Sequence, residues 1–188
     1  MDQRKIIMGA VLLLAAGAVW AQWTWRDRPE APQGGAAASA MVQKYPSSQE
    51  ALEDIDHELA PVREQAVLAY ARRSVQERTE KTPIPPERIQ PLLGRLRNDP
   101  NPAVRAAAAT GLGTLGALQS VEPLGKSLED PDPRVQQRAK HAIARITGIT
   151  LNFEAGDSKQ KRQRAIRFFH EVVLPEVRAQ KAIEPGSG

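Results

Sequence analysis

Three glycines near the middle of the chain, Gly111, Gly113 and Gly116, have the spacing G-x-G-x-x-G. In dinucleotide-binding proteins this spacing forms a tight turn between a strand and a helix, where backbone N–H groups hold a pyrophosphate. Here the three glycines lie in the Ala-rich run AAAATGLGTLG, which is typical of a helix that ends at glycine. The sequence therefore predicts a helix end at this point and no cofactor site.

Two of the three histidines are followed by glutamate, in His57-Glu58 and His170-Glu171. Paired His-Glu motifs resemble those of deoxyhypusine hydroxylase, a di-iron enzyme built from helical repeats. That family needs four such pairs at matching repeat positions, and this chain has two. The third histidine, His141, is expected at the surface. Because the chain also lacks a Walker-type loop, a nucleophile elbow and a zinc-type helix pair, we predict no metal site and no catalytic residue.

Cationic side chains cluster near the C-terminus, at Lys159, Lys161, Arg162, Arg164 and Arg167. Such a run could meet lipid head groups or a polyanion, but on a helix the five side chains spread around most of the circumference, which is typical of solvated turns. The whole chain has 26 basic and 22 acidic residues, a surplus too small to indicate nucleic-acid binding. The absence of Cys excludes disulfides and thiolate metal sites.

Residues 6–25 contain no charged side chain and just reach the length of about 20 residues that spans a bilayer. Two alternatives stay open: an uncleaved membrane anchor, or a signal peptide cleaved after Ala21. Three Trp residues near the distal end favour the anchor, because Trp is enriched at membrane interfaces. The basic residues before the segment place the N-terminus in the cytoplasm and the remaining chain on the outer side, whereas cleavage would release a periplasmic protein.

Composition divides the rest of the chain into three parts. Residues 26–47 are rich in Pro, Gly and Ala and are predicted to be a flexible linker. Residues 48–183 are predicted to form one domain, followed by a disordered tail at 184–188. Aromatic residues make up only 4% of the chain, so the core must consist of Ala, Leu, Val and Ile, which favours an all-α fold.

An internal repeat is the most informative feature of the sequence. The segments NDPNPAVRAAAATGL and EDPDPRVQQRAKHAI align residue by residue. Each contains an Asp-Pro-x-Pro turn, in which x suits a helix N-cap and the second Pro suits the first helical position. A less regular copy precedes them at residues 61–70, separated by a Pro-rich insertion at residues 78–86. Each turn is therefore predicted to end one helix and to begin the next.

Apolar residues recur in steps of four, four and three along the second helix of each copy, so each helix presents one apolar stripe. This pattern predicts a short right-handed α-solenoid of about three helix pairs with a C-terminal capping helix, in which neighbouring pairs complete each other's core. The first helices are predicted at about 48–58, 86–98 and 118–129. The repeat residues are Val62, Ala66, Tyr70, Asp99, Pro102, Val104, Arg105, Ala108, Leu112, Asp130, Pro133, Val135, Ala139 and Ile143.

This pattern resembles the HEAT-like repeats of the phycobilisome bilin-lyase family, in which an Asp-Pro turn precedes a Val-Arg pair and an Ala-rich helix. The resemblance covers roughly residues 50–180. The Val-Arg pair stands at positions 62–63 and 104–105, but the third copy has Val135-Gln136, so the series of arginines is broken there. The resemblance implies an α-solenoid and says little about activity, because such repeats occur in lyase subunits and in adaptors.

A last helix is predicted after Gly148, with Asp157 or Ser158 as its N-cap. Its apolar stripe consists of Ile166, Phe169, Val173 and Val177, and it should close the end of the solenoid. Phe168 and Val172 fall on a different arc of the helix. They are candidate contacts for a partner, or they wedge against the preceding helix pair.

These features predict an interaction module that is tethered to a membrane and binds another membrane or periplasmic protein. The alternative is a bilin-lyase-like or metal-dependent enzyme on the same repeat fold. No cofactor and no nucleic-acid partner are expected.

Overall fold

The computed structural model describes residues 44–78, 84–154 and 156–183, and within these ranges it is helical without a β-strand. The prediction of an all-α fold is thus confirmed for the part of the chain that is described. The helices are α1 (Ser48–Glu53), α2 (Ala60–Gln76), α3 (Pro86–Asn98), α4 (Pro102–Leu115), α5 (Val121–Lys126), α6 (Pro133–Thr147), α7 (Lys159–Phe168) and α8 (Leu174–Ile183). Short 3-10 turns flank α5 at Leu118–Ser120 and Ser127–Glu129, and a π-helical turn at Phe169–Val173 joins α7 to α8.

The predicted anchor at residues 6–25 and the predicted tail at 184–188 lie outside the described residues. Among the helices that are described, none is both long enough and apolar enough to cross a membrane.

Helices α1 to α6 form three successive pairs that stack side by side. The first helix of each pair packs on the second helix of the same pair, and the second helices α2, α4 and α6 contact one another with α4 in the centre. No pair could bury its apolar stripe alone, so each one completes the core of its neighbour. This arrangement is consistent with the predicted α-solenoid.

The turns that join the helices are held by their own side chains. The Asn101 Oδ1 atom accepts a hydrogen bond of 2.8 Å from the backbone N–H of Ala103, and Asp132 caps α6 in the same way through Arg134 N–H at 2.8 Å. In both helices a proline occupies the first turn, where a missing N–H leaves no bond unmade. The local sequence therefore sets where α4 and α6 begin.

The repeat residues lie mostly in the core. Ala66, Val104, Ala108, Leu112, Val135, Ala139 and Ile143 have no solvent-exposed surface, and Tyr70 is also buried. Val62 is only half-buried. It lies in the first turn of α2, beside the short helix α1, which offers less surface to cover it.

The three glycines of the G-x-G-x-x-G spacing have different structural roles, and only Gly116 is at a helix end. Gly116 has φ of 73° and forms the left-handed C-cap of α4. Gly111 and Gly113 lie inside the helix: a Cβ on Gly111 would lie 3.1 Å from the Ala71 Cβ, and one on Gly113 would lie 2.9 Å from the Ala142 Cα. A side chain is thus excluded at Gly113, where α4 approaches the backbone of α6, and it would be tightly packed at Gly111, where α4 approaches α2.

Two first helices are shorter than the sequence predicts. Helix α1 ends at Glu53, where the Tyr45 hydroxyl donates a 2.7 Å hydrogen bond to the Asp54 carboxylate and the chain turns. The predicted helix 118–129 is divided, because 3-10 turns replace regular α-helix on both sides of α5.

The folded domain begins earlier than the predicted boundary at residue 48. Tyr45, which falls in the predicted linker, is 3% exposed, and its carbonyl accepts a 2.8 Å hydrogen bond from the Arg73 Nε of α2. An aromatic side chain that finds an apolar contact stays ordered even when its neighbours in sequence are typical of a linker.

The segment between α6 and α7 also contributes to the core, although the sequence predicts only a loop there. Leu151 and Phe153 are 1% exposed. The Lys140 ammonium of α6 donates 2.6 Å hydrogen bonds to the Phe153 carbonyl and to the Glu154 carboxylate. This buried lysine therefore fixes the loop against the last repeat.

The C-terminal helix packs back onto the last pair through Phe169. Ser158 is the N-cap of α7, and Ile166, Phe169, Val173 and Val177 are all buried, as the predicted stripe requires. Two residues of this stripe, Phe169 and Val173, belong to the π-helical turn that joins α7 to α8. The ring of Phe169 lies directly against the backbone of Gly125 in α5, leaving no room for a Cβ.

Replacing Gly125 by Ala should therefore destabilise the domain by about 1–3 kcal/mol, because the new methyl group must displace a fully buried ring. Gly94→Ala is the matched control, since a Cβ there meets nothing within 4 Å and should stabilise α3 by about 0.5–1 kcal/mol. The free energies of unfolding come from chemical denaturation of both variants. Equal stability of the two variants would show that Phe169 does not pack on Gly125.

Candidate functional site: a groove across the second helices

Two arginines connect successive turns through bidentate ion pairs. The Arg63 Nε and Nη2 atoms of α2 donate to the Asp99 carboxylate at 2.8 and 3.0 Å, and Arg105 of α4 binds Asp130 at 2.8 and 2.9 Å. Both pairs are largely buried, with side-chain exposures of 10% and 0% for Arg63 and Asp99. Each ion pair therefore links one helix pair to the turn of the next one.

The same arginines also hold the turn that precedes their own helix. Arg63 Nη1 donates to the carbonyls of His57 and Glu58, each at 2.8 Å, and Arg105 Nη1 donates to the carbonyl of Asp99 at 3.0 Å. A guanidinium has donors enough for both tasks, whereas lysine has a single nitrogen. This explains why arginine occupies the position after Val in the first two copies.

The missing arginine of the third copy has a structural explanation. Gln136 Nε2 donates a 2.6 Å hydrogen bond to the Asp130 carbonyl, so it holds its own turn as the arginines do. No further Asp-Pro turn follows in the described residues. An arginine at position 136 would therefore have no aspartate of a next turn to bind. Glutamine therefore marks the last member of the series.

His57 occupies the place in the first turn that Asp99 and Asp130 occupy in the later turns. Its Nδ1 accepts a 3.0 Å hydrogen bond from Leu59 N–H, as Asp99 accepts one of 2.9 Å from Asn101 N–H. Its role in this turn is hence that of an acceptor two residues before a helix start.

The other histidines lie apart from any acidic cluster. His170 is exposed in the π-helical turn, with its ring edge-on to Phe169, and His141 is exposed on α6. In the described part of the chain, no three His, Asp or Glu side chains come close enough together to hold a metal ion.

The ion pair changes the protonation of Asp99. Burial by itself would raise the pKa of Asp99, but hydrogen bonds from the Arg63 side chain and the Asn101 backbone, with the charges of Arg63 and Arg95, lower the pKa below its ordinary value of 3.8. Asp99 is therefore ionised across the physiological range, and its role is structural.

A groove of about 630 Å³ crosses the three second helices on the face that is not covered by the first helices. Its floor is α4, which presents only small side chains. One wall is α2 and the other is α6, with Glu154 at one end. The floor consists of Ala103, Ala106, Ala107 and Thr110.

The two walls differ in charge. The α2 wall contributes Glu64 and Leu68, whereas the α6 wall contributes Arg138 and His141, both exposed. Arg134 also lines this wall, but it is engaged with Asp132 at 2.8 Å. The hydrogen bonds from Arg134 lower the pKa of Asp132 to about 2. Arg138, in contrast, has no ion pair with any other described residue, so its charge faces the groove unneutralised.

Residues 89–152 match the family profile of HEAT repeats, and residues 60–115 match a profile of the HEAT-like repeat. The domain contains HEAT-like repeats. Repeats of this kind generally mediate protein–protein interaction, and they suggest a scaffold. The matches do not extend to the bilin-lyase family, so that closer resemblance is unsupported. No curated protein matches the chain.

In the sequence, Asp99, Arg105 and Asp130 are recognisable as repeat residues, but the repeat pattern alone predicts neither their pairing nor the groove. Acidic and basic residues that recur at fixed repeat positions are the signal that could have indicated the ion pairs. The groove residues follow helical spacing on the face opposite to the apolar stripe, for example Arg134, Arg138 and His141 on α6.

Replacing Asp99 by Asn should cost about 3 kcal/mol at neutral pH, because Arg63 would keep a charge that is nearly buried and no longer paired. Since the pKa of Asp99 is lower in the folded state than 3.8, its stabilising effect is present above that pH and is lost as the pH falls through the folded-state pKa. Denaturation curves at several pH values should therefore converge for the wild type and the variant in acid.

Asp132→Asn is the control, because asparagine still caps α6 and the ion pair with Arg134 is at the surface. This variant should remain close to the wild type in stability at neutral pH. A comparable loss of stability in both variants would mean that the buried Arg63–Asp99 pair matters no more to stability than an ion pair at the surface.

Proposed function

We propose that this protein binds another protein by holding one of its helices in the groove across α2, α4 and α6. The observation that carries the proposal is the floor of small side chains between two polar walls. Ala side chains let the backbone of a bound helix approach α4 closely, and amphipathic helices commonly bind in grooves of this shape. Repeat domains in general use such extended, preformed surfaces for binding.

The walls also favour one orientation of the bound helix. Glu64 on the α2 wall attracts basic side chains, and Arg138 on the α6 wall attracts acidic ones. A partner helix whose basic flank faces the α2 wall and whose acidic flank faces the α6 wall would match both. The same helix bound in the reverse direction would place each flank against a wall of like charge. Charge pairs of this kind contribute more to specificity than to affinity. We therefore infer an action by binding, without turnover of a substrate.

We also propose that residues 6–25 tether the domain to a membrane, with the N-terminus in the cytoplasm and the repeats on the outer side. The support comes from the uncharged apolar run, the basic residues before it and the tryptophans at its distal end. The partner would then be another membrane or periplasmic protein. If the segment is a signal peptide, the repeat domain acts free in the periplasm.

Filling the groove should abolish binding. Ala106 is half-buried in the groove floor, so an Ala106→Trp side chain would project into the groove and leave the core intact. Proteins that co-purify with the full chain from detergent-solubilised native membranes should fall by about tenfold or more in this variant, with the circular dichroism unchanged. Gln90→Trp, on the exposed surface of α3, is the matched control and should retain them. Retention by Ala106→Trp as well would rule out the groove.

The tether is tested by fractionation of the full chain from its native cells. We expect it in the membrane pellet after washes with high salt and carbonate, because an apolar span is not removed by either. Deletion of residues 1–32 should leave a soluble helical protein. Recovery of a soluble wild-type chain that begins at Gln22 would instead establish a cleaved signal peptide.

A further inference from the structure

Helix α7 and the π-helical turn after it carry side chains that the fold leaves exposed. Phe168 is 42% exposed and Val172 is 47% exposed, and the two lie four positions apart on the same side of the helix. Arg164 and Arg167 are exposed on the preceding turns and lie on the same side. We call these four residues the α7 surface. It is formed by elements other than the second helices that line the groove.

The positive charge of this surface is not neutralised within the described residues. Lys161 is bound to Asp157 at 2.8 Å, but Arg164 and Arg167 have no ion pair there. From Lys159 to His170 the chain contains no acidic residue. The cations therefore remain available to an acidic partner.

The same surface is held rigidly from behind. Phe169 and Val173 are fully buried, and the ring of Phe169 lies against Gly125 of α5. These contacts fix the rotation of the helix and thereby keep Phe168 and Val172 turned to solvent. A preorganised surface loses little entropy when it binds.

We propose that the α7 surface binds an acidic amphipathic segment of a partner protein. Carboxylates of the segment face Arg164 and Arg167, and its apolar side chains cover Phe168 and Val172. An anionic lipid surface fits less well, because Glu171 lies beside Val172 and Glu176 follows on α8, so carboxylates border the apolar end. A protein segment needs to match charge only locally, whereas a lipid surface would repel both glutamates.

The probe is a fluorescently labelled synthetic peptide in which Leu recurs every three or four residues. Glu fills the remaining positions in one half of the peptide and Gln fills them in the other half, so that the Gln half can lie beside Glu171 and Glu176. Its binding to the full chain in dodecyl maltoside micelles is measured by fluorescence anisotropy at about 0.15 M salt. We expect saturable binding, with affinity about tenfold weaker when Gln replaces Leu in the peptide and no binding when Lys replaces Glu.

Variants of the chain locate the binding site. The double substitution Arg164→Glu and Arg167→Glu, and separately Phe168→Ser, should each weaken binding by about tenfold. Arg97→Glu reverses an exposed charge on α3 and should have no effect.

Four outcomes would overturn the proposal. If the peptide with Gln in place of Leu bound as tightly as the Leu peptide, the binding would be non-specific charge attraction. Loss of peptide binding in mixed micelles that contain phosphatidylserine, with binding retained in micelles made equally anionic by a charged detergent, would show that lipid head groups are the preferred ligand. Peptide binding that Ala106→Trp abolishes and the α7 variants leave intact would place the peptide in the groove. Absence of saturable binding would exclude the acidic segment altogether.

Discussion

The domain depends on three second helices lying closer together than ordinary side chains permit. Gly113 of α4 faces the Ala142 backbone of α6, and Gly111 faces Ala71 of α2. Small residues at these contacts let α4 lie between its neighbours, so that Leu112 and Val104 can be fully buried against the rest of the core. The groove is the other face of the same packing, since α4 presents Ala side chains there as well. One constraint thus produces both the core and the surface proposed for binding.

Electrostatic pairs between turns supply what packing of small residues does not, namely a defined register of one repeat on the next. Ala and Gly surfaces slide past one another with little penalty, but a bidentate Arg–Asp pair has one geometry. Arg63 with Asp99 and Arg105 with Asp130 repeat this geometry, and Gln136 ends it. A buried ion pair contributes modestly to net stability, because both charges lose their hydration, but breaking one is costly. The main effect of these ion pairs is to fix the position of one repeat on the next.

The two surfaces proposed for binding differ in kind. The groove is lined by small side chains and has one acidic and one basic wall, so the proposed binding there would select a partner by shape and by the order of charges. The α7 surface is basic with two exposed apolar side chains, so the proposed binding there would select by the sign of the charge. Because no described side chain contributes to both surfaces, the two proposals are compatible with two segments bound at once.

Local rules let the sequence by itself determine the all-α class, the turns at Asp99–Pro102 and Asp130–Pro133 and the apolar stripe of the last helix. N-caps, prolines and a helical period act over a few residues and can be read directly. Only the tertiary structure decided that Tyr45, Leu151 and Phe153 join the core, that Gly111 and Gly113 are helix contacts, and that Arg63 binds an aspartate 36 positions away. It also decided that a groove exists, since its walls come from α2 and α6, which are separated in sequence. These features depend on distances between segments that no local pattern encodes, because they arise when the helices pack.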